Sequence, residues 1–154
     1  MYGKKLERVE VSKYLGRLLA FDDNDTQAMR SNLMKACGIW AQVSHVHRSE
    51  NASPHVCRML YKATVQVVLL FGSETWNLSA LVLKCLEGFH LDAACCMMGM
   101  VPKRGDNVTW FYPSLEDVLE AVGLHMIKNN IDVRRQTITS FIVNWPILDL
   151  CRRG

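Results

Sequence analysis

The stretch Tyr61-Lys62-Ala63-Thr64-Val65-Gln66-Val67-Val68-Leu69-Leu70-Phe71-Gly72-Ser73-Glu74-Thr75-Trp76 constrains this chain more than any other. An apolar run stops at Gly72, and Ser-Glu-Thr-Trp follows at once. Thr64, Val65, Val67 and Val68 would suit a strand, because β-branched side chains favour extended backbone. Yet Val56, Met59/Leu60, Ala63 and Val67 continue one helical face for about four turns, longer than a usual strand. Ser53 can cap the start, Pro54 fits the first turn, and Gly72 can close the end. The spacing therefore predicts a central buried helix from Pro54 to Phe71, with Val56–Val67 as its inner face and a polar, aromatic-anchored exit.

Other segments build around it. Leu6, Val9 and Val11, then Tyr14-Leu15-Gly16-Arg17-Leu18-Leu19, alternate as two short strands, with Gly16 as bulge or bend. Asp22-Asp23-Asn24-Asp25-Thr26 is a concentrated helix-start signal. Met29, Leu33, Ala36, Trp40 and Val43 then mark one face of a helix to about Val46, with Arg30, Lys35 and Gln42 turned away from it. Ser79 opens a third helix with the face Val82, Cys85/Leu86, Phe89, Ala93, Cys96/Met97, Met100, stopped by Pro102. Ser114-Leu115-Glu116-Asp117 approximates a capping box for a short helix that Gly123 closes. A last helix covers about His125–Val143, ahead of Pro146. The expected fold class is mainly α: a helical bundle preceded by a short β-hairpin.

A chain of 154 residues with 49% apolar and 21% charged residues can bury a core as one domain. The run near Ala63–Phe71 is too short to span a bilayer. Met1–Arg8 has no apolar core, so no secretory signal is expected there. The six cysteines follow no disulfide-scaffold spacing, and reduced thiols in an intracellular setting are the expectation. Net charge is +3, and residues 1–17 account for it: Lys4, Lys5, Arg8, Lys13 and Arg17 face only Glu7 and Glu10, five minus two. Such an arm can touch phosphate or simply be a solvated face.

No active site stands out. In Phe21-Asp22-Asp23 no residue separates the aromatic from the first aspartate, unlike the metal-holding turn of polymerases, and the pair suits ordinary helix capping. Cys37, His45, His47, His55 and Cys57 are a conceivable zinc set, but His45-x-His47 and His55-x-Cys57 are spaced too closely to converge well on one ion. Cys95-Cys96 lies within a helix without a resolving motif, so Cys96 is expected buried and Cys95 partly exposed. Phosphate-binding glycine loops and Gly-x-Ser-x-Gly are absent from the sequence.

Several of these segments, taken in order, resemble the region from the last palm strands into the thumb of reverse transcriptases of non-LTR (LINE-like) retrotransposons. Lys13-Tyr14-Leu15-Gly16 is similar to the family's Tyr-Leu-Gly hairpin beside the primer grip. The helix with Ala36 and Trp40, Tyr61-Lys62-Ala63, the Leu69–Trp76 exit and Leu86-Glu87-Gly88-Phe89-His90 follow across residues 9–100. Val133-Arg134-Arg135-Gln136-Thr137-Ile138 resembles sequence after the thumb less specifically. The resemblance implies a residual palm hairpin over 1–20, a thumb-like bundle over 21–104 and a helical extension over 105–154.

The family's activity is RNA-directed DNA synthesis with Mg²⁺. Its catalytic turn is expected upstream of Tyr14-Leu15-Gly16, so no catalytic residue and no cofactor carry over to these residues. What the resemblance implies here is binding. Tyr14, Leu15 and Gly16 would help place a primer end, Lys13 and Arg17 beside them would bind nucleic acid, and Lys35, Gln42 and Arg48 would meet the backbone of a template–primer duplex. His47 and Cys95-Cys96 stand where relatives tend to be more basic, so binding is expected to be weak and salt-sensitive. The location expected for the full-length relative is nuclear. Two rival readings are a helical protein-interaction module, self-associating through exposed apolar surface, and a zinc-binding helical module.

Overall fold

The computed structural model describes residues 11–14, 17–20, 25–50, 52–100, 103–104, 110–111 and 114–144, the strands and residues 46–49 by their backbone. Apart from two short strand pairs, the regular structure of the described residues is helical, in five helices. These are α1 (Thr26–Glu50), α2 (54–69), α3 (Ala80–Met98), α4 (Leu115–Val122) and α5 (Ile127–Val143). A single 3₁₀ turn, Ser73–Thr75, links α2 to the approach of α3. Two short antiparallel backbone ladders accompany the helices. β1 (Val11–Tyr14) pairs with β2 (Arg17–Ala20) in the register Val11–Ala20 to Tyr14–Arg17, and β2 adjoins α1. β3 (Lys103–Arg104) pairs with β4 (Trp110–Phe111) between α3 and α4.

Three serines start helices where the sequence places them. The hydroxyls of Ser53, Ser79 and Ser114 accept the amides of Val56, Val82 and Asp117 at 3.4, 3.2 and 3.2 Å. Each satisfies an amide that the first helical turn leaves without an internal partner. Gly72 adopts φ 72°, a left-handed conformation that a side chain disfavours, which is why the apolar run turns so sharply there. α3 ends at Gly99 (φ 62°), not at Pro102, because the left-handed glycine already lets the amides of Gly99 and Met100 bond back to Cys96 and Cys95. Met100, expected on the inner face, is therefore past the helix and 37% exposed.

The core joins Met29 and Ala36 of α1, Tyr61, Val65 and Leu69 of α2, and Val82, Leu86, Ala93 and Met97 of α3. Val118 and Val122 of α4 and Ile127 and Ile131 of α5 complete it. The α1 seam is as expected: Met29 and Ala36 are buried, Leu33, Trp40 and Val43 pack beside them, and Arg30, Lys35 and Gln42 are exposed. The central helix is α3, which packs against α1, α2, α4 and α5, whereas α2 packs against α1, α3 and α4.

The inner face of α2 also differs from the expectation. Cys57, Tyr61, Val65 and Leu69 are buried, and Val56, Met59, Leu60, Ala63 and Val67 are exposed. In a regular α-helix a spacing of four overshoots a full turn by about 40° each time, so 57, 61, 65 and 69 would wind off one face. Tyr61–Gln66 is a π-helical segment, whose wider turn absorbs that drift. Apolar periodicity favoured the other stripe because it treats the polar tips of Tyr61 and Gln66 as outward-facing. The fold instead satisfies the Tyr61 hydroxyl internally.

Candidate nucleic-acid interface

Of the residues implicated by sequence, Lys35 and Gln42 are exposed on α1. Seven residues apart, they lie within about 20° of each other around the helix and about 10 Å along it. Arg48 occupies a position about 140° around from Lys35 on the same count, so the helix does not align it with the other two. Lys13, Tyr14 and Arg17 stand at the end of the β1–β2 ladder where Tyr14 pairs with Arg17. Leu15 and Gly16 lie outside the described residues, as do Phe21, Asp22 and Asp23.

The exit after α2 is held by polar contacts from two other helices. Arg134 of α5 donates to Leu70 O at 3.0 Å and to Glu74 Oε1 at 3.2 Å. Arg135 donates to Glu74 O at 3.3 Å and Trp76 O at 2.6 Å. Asn32 Nδ2 of α1 donates to Phe71 O at 2.9 Å, and the carboxylate of Asp25, just before α1, accepts the Asn77 amide at 2.6 Å. These bonds pair carbonyls and an amide that a tight turn leaves without helical partners. Gly-Ser-Glu-Thr-Trp is thus the point where α1, α2 and α5 are tied together. Sequence reading missed both arginines in this role; the isolated Glu74 beside a buried aromatic was the available signal.

A second polar unit sits inside. His90 Nε2–H donates to His125 O at 3.0 Å, which fixes the tautomer and leaves Nδ1 to accept the Tyr61 hydroxyl at 2.8 Å. Trp40 meets the Tyr61 ring edge-on at 5.6 Å and 88°. Burial, then the charge of Lys62, pulls His90 down to about 4 against the His125 hydrogen bond; burial first, then Glu87, pushes Tyr61 up. Both side chains are fully buried, so the pair is neutral at physiological pH and closed to solvent. Such a unit builds structure, since acid–base catalysis requires reach to a substrate. Glu87 acts similarly, its Oε1 accepting the Lys128 amide at 3.1 Å in the positive first turn of α5.

Two further locations bear on other chemistries. A shallow depression of about 310 Å³ between α4 and the start of α5 is lined by Glu116, Glu120, Leu119, Leu124, His125 and Asn129 among others, and its carboxylates would repel phosphate. Cys37, His45 and His55 are exposed and Cys57 is buried, and among the described residues no three His, Cys, Asp or Glu side chains are grouped to hold a metal. Burial raises the thiols of Cys57 and Cys95, and Cys96 is partly exposed where burial was expected. Among the described residues no helix is long and apolar enough to cross a membrane. No family model, curated protein or solved structure matches this chain.

Proposed function

We propose that this chain corresponds to the C-terminal palm and thumb region of a non-LTR retrotransposon reverse transcriptase, and that it holds a template–primer duplex without performing the polymerase chemistry. The carrying observation is the order along the chain of Tyr14-Leu15-Gly16, the helix with Ala36 and Trp40, and the exit Gly72-Ser73-Glu74-Thr75-Trp76. In this reading β1 and β2 are the palm hairpin, α1 to α3 the thumb-like bundle, and α4 and α5 the helical extension. The exposed pair Lys35 and Gln42 supports it, because a cation and an amide aligned along one side of a helix suit successive backbone contacts. Arg134 and Arg135 are not assigned to phosphate, since both donate to the exit. Mg²⁺ would belong to the full-length relative, and no step here is routed through it.

Binding of a labelled RNA–DNA hybrid duplex across a salt series tests the proposal. Weak retention that disappears with salt is expected, and Lys35→Glu should weaken it and reduce the log–log salt slope by about one. Primer extension by the purified chain with Mg²⁺ would contradict the proposal.

A further inference from the structure

α2 is apolar on two sides, and among the described residues only one is covered. Val56, Met59, Leu60 and Val67 are 45, 59, 38 and 48% exposed, and Phe71, in the turn that follows, is 49% exposed. Ala63 and Thr64 between them are exposed as well. A helix apolar all round is ordinarily covered all round. We propose that this outer stripe is the interface of a homodimer, in which two α2 helices pack antiparallel about a two-fold axis passing between Ala63 and Thr64.

The sequence of the stripe is self-complementary in that arrangement. An antiparallel register centred between 63 and 64 sets Leu60 opposite Val67, Val56 opposite Phe71, and Ala63 opposite Thr64 of the copy. Large side chains thus fall toward both ends and small ones at the axis, where two helix backbones approach most closely. A two-fold interface requires this pairing of a surface with itself. Charge permits it too. Arg58 and Lys62, the cations of α2, are directed to the carbonyls of Val122 and Gly123 at 3.3 and 3.4 Å, and the stripe itself carries no charged residue. Half-exposed side chains of this number and size present on the order of 500 Å² per copy, so a dimer would bury about 1,000 Å², the lower bound for a specific interface.

The dimer does not rest on the duplex reading, because Lys35 and Gln42 are on α1 and the stripe is on α2. Sedimentation equilibrium of the full chain from low to high micromolar concentration should give a monomer–dimer equilibrium that persists in high salt. Leu60→Glu should raise the dissociation constant by roughly tenfold or more, and Met59→Glu, at a more exposed position, should do so with an unchanged circular dichroism spectrum. The register has its own test. Leu60→Glu combined with Val67→Lys sets opposite charges across the axis and should restore association, whereas Leu60→Glu with Val67→Glu should not. A chain monomeric at every concentration overturns the proposal, as does a dimer indifferent to Met59→Glu or a charge pair that fails to restore it. A monomeric chain whose stripe captures an added amphipathic helical peptide would assign the surface to another partner and equally overturn it.

Discussion

Tyr61 illustrates how one hydroxyl decides which face of a helix is buried. Its ring fills the core while its O–H meets the only lone pair that His90 has left once Nε2 is bound to His125. Tyr61→Phe removes the donor and keeps the ring, leaving Nδ1 buried and unsatisfied. Chemical denaturation should record a loss of about 1–3 kcal/mol, the usual penalty for a buried orphan. The same pair gives a pH dependence. The unfolded imidazole takes up its proton near the ordinary 6.5, whereas the folded one does so only near 4. The unfolded state therefore binds more protons between those values, so stability is whole above about pH 6.5 and falls as pH drops toward 4. The swing is on the order of 3 kcal/mol, and His90→Leu should remove that part of the acid slope in denaturation midpoints measured across the window.

At the scale of elements, helix ends were legible and helix contacts less so. Ser53, Ser79 and Ser114, and Gly123, announce ends through chemistry that involves only their chain neighbours, whereas α2 ends at Leu69 and not at the expected Phe71, with Gly72 left-handed in the turn beyond. The α1 seam was legible for a related reason, since its opposite side carries Arg30, Lys35 and Gln42 and leaves one choice of inner face. α2 offered two apolar faces, and the π-helical turn that selects between them has no local signature. The exit bonds of Arg134 and Arg135 span some sixty residues of chain, beyond any pattern in spacing.

Two variants test these contacts. Arg134→Met keeps the aliphatic stem but leaves Leu70 O and the Glu74 carboxylate without this donor, and should lower the unfolding free energy by about 1–3 kcal/mol in urea titration. Gly123→Ala forces a side chain onto φ 77° and into the Arg58 guanidinium. It should cost about 1 kcal/mol, most of it from the left-handed backbone, because the flexible Arg58 guanidinium can swing aside at the loss of its bond to Val122 O; urea titration checks this.

The described residues form a largely helical body organised on α3, with α1 presenting an exposed polar side and α2 an exposed apolar one. Those two surfaces have opposite salt signatures, because phosphate contacts release counterions and apolar packing does not. The functional proposal belongs to α1 and the dimer to α2, so one solution experiment separates them. Much of the proposed site was legible as a list of residues, but not as a surface. Lys35 and Gln42 share a side of α1, while Arg48 stands about 140° away by helical period, a relation that depends on α1 continuing unbroken to Glu50.

The most direct test of the central proposal is a salt titration of hybrid-duplex binding with the wild-type chain, Lys35→Glu, and Met59→Glu as the control on the other surface. Weak binding is expected that falls linearly in the log–log plot, with a slope shallower by about one in Lys35→Glu and unchanged in Met59→Glu. Duplex binding that is absent at low salt, or that Lys35→Glu leaves untouched, would contradict it.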